Sequence, residues 1–163
     1  MEHYALKIAN TLICFSQSES HFISRLALMK MSYICHGYIL ALLDKNTDNK
    51  DHEFVQAWKY GPVFPSIYYA FNINGKDTIT KKSSIVYFDD NGNQNIITPE
   101  FDKEHSDEIS ICKAVWNAFK NTTPSRLVTM LHEQGTPWSM YYREGRNCII
   151  TDSYTKKFYY AVA

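Results

Sequence analysis

Nine residues, Ala57 to Pro65 (Ala-Trp-Lys-Tyr-Gly-Pro-Val-Phe-Pro), hold two prolines, one glycine and three aromatics, and they limit the folds open to this chain more than any other stretch. Pro62 and Pro65 each fix a φ angle and bias Gly61 and Phe64 toward extended backbone. Gly61, lacking a Cβ, lets the chain pass close to other backbone. The bend is therefore stiff, and Trp58, Tyr60 and Phe64 flank it with large apolar faces. Such a stretch suits a corner on which other elements pack, and it equally suits a recognition surface.

What packs on the corner is suggested by Arg25 to Leu43, a run free of proline and containing one glycine, Gly37. Arg25, Met29, Ser32 and His36 recur at helical spacing as one partly polar stripe. Nearly every other position is apolar or small, so this helix is expected at the centre of the fold, with Ser24 as its N-cap. Lys30 is the anomaly, because its neighbours three and four positions away are Leu26, Ala27, Tyr33 and Ile34. Its ammonium either snorkels along an adjacent element or pairs with a buried carboxylate or carbonyl. Gly37 is expected to admit a second element at close range.

Before this helix, Tyr4, Ile8 and Leu12 predict a helix over residues 4–15, ended by a polar break at 16–20. After it comes a charged, Asn-rich connection at 44–53, and residues 54–58 are read as extended or briefly helical. Pro65 starts a helix through Phe71. Residues 76–100 are read as a variable excursion in which Ile85–Phe88 and Asn95–Ile97, joined by an Asn91-Gly92 turn, can form a hairpin. A helix follows from Phe101 with Ile109, Cys112, Val115, Trp116 and Phe119 on one face. Thr123 and Pro124 open a shorter helix to His132, and Gly135 and Pro137 close it. Trp138–Tyr142 is an aromatic run, Cys148–Ile150 a brief extended segment, and Thr151 or Asp152 caps a terminal helical turn. The expected fold is mainly α: one compact helical domain over residues 1–163 around a central helix, with room for a small β-hairpin.

Most chemistries lack their residues. The six glycines are dispersed and make no phosphate cradle. No histidines or cysteines stand at metal-ligand spacing, and no nucleophile elbow is present, so no catalytic residue, metal or cofactor is assigned. Cys35 and His36 are adjacent but diverge by about 100° on a helix. His132, near a helix C-terminus, reads as a cation or hydrogen-bond donor to the last carbonyls. Lysine plus arginine balances aspartate plus glutamate at 17 each, which argues against nucleic acid as a partner. Scattered cysteines, the absence of a leader pattern and no apolar run beyond Tyr38–Leu43 point to the cytoplasm and away from a membrane.

Three stretches in order, Leu28-Met29-Lys30-Met31-Ser32-Tyr33-Ile34-Cys35-His36-Gly37, Gln56-Ala57-Trp58-Lys59-Tyr60-Gly61-Pro62-Val63 and Leu131-His132-Glu133-Gln134-Gly135-Thr136-Pro137-Trp138, resemble the Panacea domain family of SocA-like antitoxins and phage-associated GepA-type proteins. The family's patterns are L-Q-K-L-x-Y-x-x-x-G, E-A-W-x-x-G-P-V and T-H-x-E-x-P-W. Met29 stands where the family tends to have Gln, Gln56 where it often has Glu, and Leu131 where it has Thr. The resemblance implies an antitoxin that binds and neutralises a cognate toxin, or an adaptor that hands the toxin to a protease complex. An enzyme reversing the toxin's action is a third reading, which predicts a polar pocket around Lys30, Trp58 and His132. By the same resemblance Lys30, Tyr33, Trp58, Tyr60, Gly61, Pro62, His132, Pro137 and Trp138 are the partner-binding or scaffold positions. Trp58 and Tyr60 are expected near Lys30 and the long helix, with Trp58→Ala mainly destabilising the fold.

Overall fold

The computed structural model describes residues 2–44 and 53–163, so the connection expected over 44–53 lies almost wholly outside the described residues. The elements run α1 (Tyr4–Glu19), β1 (Ile23–Ser24), α2 (Arg25–Leu42), β2 (Val55–Trp58), β3 (Gly61–Val63), α3 (Pro65–Ala70), β4 (Thr78–Ile79), β5 (Ile85–Phe88), β6 (Gln94–Ile97), α4 (Ser106–Phe119), α5 (Pro124–His132), α6 (Pro137–Tyr141), β7 (Cys148–Ile150) and α7 (Asp152–Val162). The protein is mainly α, as expected, with α1, α4, α5 and α7 packed around α2.

Burial all round α2 explains its composition. Ser24 caps it by accepting from the Ala27 amide at 3.2 Å. The stripe read as partly polar is itself buried at Met29, Ser32 and His36, because other helices cover it. His36 Nε2 meets Asp152 Oδ1 of α7 at 2.9 Å and Nδ1 meets the Tyr4 hydroxyl of α1 at 3.1 Å, so one imidazole ties three helices together. Gly37 faces the ring of Tyr159 so closely that a Cβ there would lie 2.1 Å from Cδ2. That is the close approach the sequence predicted, and it seats α7 directly on α2.

Two helices are longer than expected. α1 continues through the polar residues 16–19 because Glu19 is held from α4: its carboxylate accepts from Lys120 Nζ and Trp116 Nε1, both at 2.9 Å, and from Lys113 Nζ at 3.1 Å. These contacts hold the Glu19 carboxyl down at about 2, and Ser20 then ends the helix at φ 50°. α7 runs for 11 residues rather than a single turn.

The 54–58 segment is a strand. It pairs antiparallel with β3 on one side and β7 on the other, in the order β3-β2-β7. Trp58 pairs with Gly61, which leaves Lys59 and Tyr60 as the two-residue turn. The β5–β6 hairpin also forms, pairing Ile85 with Ile97 and Phe88 with Gln94. Its base is not detached from the core: β4 pairs with β1 and buries Ile79. Fully buried Asn10 of α1 donates to the Ser83 and Pro99 carbonyls and accepts from the Ser83 amide, all at 2.9 Å.

Candidate functional site

Gly61 has φ 112°, a conformation that glycine adopts and L side chains rarely do. It exposes a gap into which Lys30 projects from α2. Lys30 Nζ donates to the Pro62 carbonyl at 3.0 Å, with no accessible surface on the residue. Of the two fates open to this lysine, pairing with a carbonyl is the one realised. The close neighbour of Gly61 is therefore an ammonium rather than backbone, since a Cβ at Gly61 would stand 2.9 Å from Nζ. Burial pushes the Lys30 ammonium down to about 7.

His132 closes the other side of this gap, its Nε2 lying 3.5 Å from the position of a Gly61 Cβ. The ring stacks on Trp138 at 3.7 Å between centroids and 11° between planes. Nε2 is shielded from solvent and has no hydrogen-bond partner among the described residues. Desolvation and the charge of Lys30 both lower the imidazole pKa, which disfavours the cationic form that its position at the end of α5 suggested. It is an aromatic plate between Trp138 and the Lys30 corner.

Trp138 completes the connection by donating its Nε1–H to the Trp58 carbonyl at 2.7 Å. Trp58 in turn donates to Gln56 Oε1 at 2.8 Å and packs edge-on against Tyr68 at 4.9 Å. The amide oxygen of Gln56 thus supplies the acceptor that a glutamate would supply there. Pro137 is buried at the first position of α6, whose N-cap is Thr136. The Thr136 hydroxyl serves the Leu131 and Glu133 carbonyls at 3.0 and 2.7 Å and accepts from the Ser139 amide at 3.3 Å, joining α5 to α6.

Six of the nine sequence-selected residues, Lys30, Trp58, Gly61, Pro62, His132 and Trp138, thus form one connected cluster, with Pro137 directly supporting it. Tyr33 does not join them. It is buried toward α7, its hydroxyl 3.3 Å from Thr155 Oγ1 and its ring edge-on to Tyr159. Tyr60 stands 61% exposed at the turn, so it does not pack on the long helix as expected. At this two-residue turn the ring meets the neighbouring Lys59, whose ammonium lies 5.6 Å from it. Gln56 and Thr136 were given no role from sequence, although Thr136-Pro137 repeats the cap-and-proline signal of Thr123-Pro124. The cluster sets a buried amine beside an imidazole nitrogen shielded from solvent, and burial lowers the pKa of both groups.

The antitoxin SocA-like, Panacea domain family matches residues 28–139, a span that contains all three motif stretches. Antitoxin SocA of Caulobacter vibrioides (strain NA1000 / CB15N) is 32% identical over 139 residues, covering 83% of this chain and 69% of that protein. No solved structure matches the chain at a significant level. Among the described residues, no helix is long and apolar enough to cross a membrane. The chain belongs to the SocA-like antitoxin family and carries its Panacea domain.

Proposed function

We propose that this protein neutralises a cognate toxin by binding it directly in the cytoplasm. The observation that carries the reading is the 32% identity with antitoxin SocA across 83% of the chain. The division of residues supports it. Lys30, Gly61, Pro62 and Pro137 are buried and spent on holding elements together, whereas Tyr60 and Tyr69 stand in solvent. Exposed aromatic and aliphatic side chains are what protein recognition draws on.

Co-expression with the toxin encoded beside this gene tests the proposal. Restored growth together with co-purification of the two proteins is expected. Continued arrest without co-purification would contradict it. Relief that occurs only in a host retaining its protease, with toxin level falling in parallel, would instead assign the adaptor role.

A further inference from the structure

The β2–β3 turn, the first turn of α2 and the start of α5 enclose an open cleft of about 620 Å³. Trp58, Tyr60 and Tyr68 line it as aromatic walls. Arg25, Lys59 and Lys76 supply cations, and Lys30 lies beneath the floor. Among the described residues that line it, none carries a carboxylate. In a chain whose formal charge is zero, Arg25, Lys59 and Lys76 gathered without an acid create a local positive potential that the composition hides. The start of α2, at Ser24 and Arg25, and Pro124 at the first position of α5 add the positive ends of two helix dipoles.

The chemistry of the lining selects among anions. Phosphate is favoured by free bidentate guanidinium groups and runs of backbone N–H. Here Arg25 Nη1 donates to Asn72 Oδ1 and the guanidinium lies over the Tyr68 ring at 4.7 Å, which ties the arginine into the aromatic wall. Lys59 and Lys76 are exposed point charges. Point charges between tyrosine and tryptophan faces suit carboxylates alternating with apolar side chains, the pattern of an acidic peptide segment.

We propose that this cleft is the docking site for an acidic segment of the toxin, an inference that rests on direct binding as the mode of neutralisation. Calorimetric titration of the full-length protein with the toxin from the neighbouring gene tests it in three forms: wild type, Lys59→Glu/Lys76→Glu and, on the hairpin, Phe88→Ser. The double reversal is expected to weaken binding about tenfold or more, with circular dichroism and melting unchanged. Phe88→Ser should bind as wild type does, and added salt should weaken the wild-type complex. Wild-type affinity in the double reversal overturns the cleft while leaving direct binding intact. No binding by the wild type overturns both. ATP in place of the toxin forms a separate arm: if ATP binds the wild type and not the double reversal, while toxin affinity is the same in both, the cleft is a nucleotide site and the proposal fails.

Discussion

Two buried polar side chains reach from helices to hold backbone elsewhere, and they do so at different cost. Asn10 of α1 is a neutral amide that makes three hydrogen bonds to the Ser83 and Pro99 segments. Lys30 of α2 brings an ammonium into burial and, among the described residues, makes one, to Pro62. The amide is almost fully matched and is insensitive to pH. The ammonium carries a desolvation penalty that the single carbonyl does not cancel, which is why burial alone drives its pKa down. A clamp that only had to hold backbone would be better built from an amide. When protonated, the amine under Gly61 also adds to the potential of the cleft above it, and that separates the Lys30 corner from the Asn10 clamp.

Asn10→Ala is the largest expected break in the comparison. It strands the Ser83 amide and two carbonyls, at a cost of about 3 kcal/mol that is the same across the pH range. Urea unfolding measures the loss, and faster amide exchange over residues 83–99 locates it.

Lys30→Met sharpens the contrast through pH. A lysine whose folded pKa is lowered from 10.5 to about 7 binds fewer protons folded than unfolded between those values. Stability therefore rises with pH through that window and is lost as pH falls through about 7. From pH ~6.5 to ~8.5 the wild type should gain about 2 kcal/mol relative to the variant. A constant difference between the two would contradict a charged, buried Lys30.

Gly61→Ala is expected to cost about 1.5 kcal/mol, since φ 112° is strained for alanine and its Cβ would press on Lys30 Nζ. Both effects fall on the corner, so the Asn10 side should show no change in exchange. Trp138→Phe keeps the ring against His132 and removes only the bond to the Trp58 carbonyl, so about 1 kcal/mol is expected. Thermal melting checks both variants.

How far these regions could be read beforehand follows the range of the interactions involved. Lys30 was conspicuous because a charge interrupted an apolar arc, and Gly37 because a helix tolerates glycine at a cost. Both signals are local. The cap-and-proline signal also placed the start of α5 correctly. It recurs at Thr136-Pro137, where the aromatic run that follows masks a helix of only 5 residues, α6.

Other features had no local signal. α1 outruns its apolar pattern because Glu19 meets Lys113, Trp116 and Lys120, partners far along the chain. β2 could not be separated from a short helix because its strand character depends on pairing with Cys148–Ile150. The role of Asn10 was invisible for the same reason. The cleft assembles Arg25, Lys59 and Lys76 from three segments, so a charge count that balanced globally gave no sign of a basic surface. The motif W-x-x-G-P-V did carry a hint: its two open positions are Lys59 and Tyr60, the turn that stands in solvent at the rim of the cleft.

Hydrogen exchange of the full-length protein, alone and with the toxin from the neighbouring gene, sets the two regions directly against each other. Protection is predicted at residues 24–30, 58–63 and 75–76, around the cleft, with the β5–β6 hairpin above the Asn10 clamp unchanged. Protection confined to residues 85–97, with the Lys30 corner exchanging as in the free protein, would contradict it.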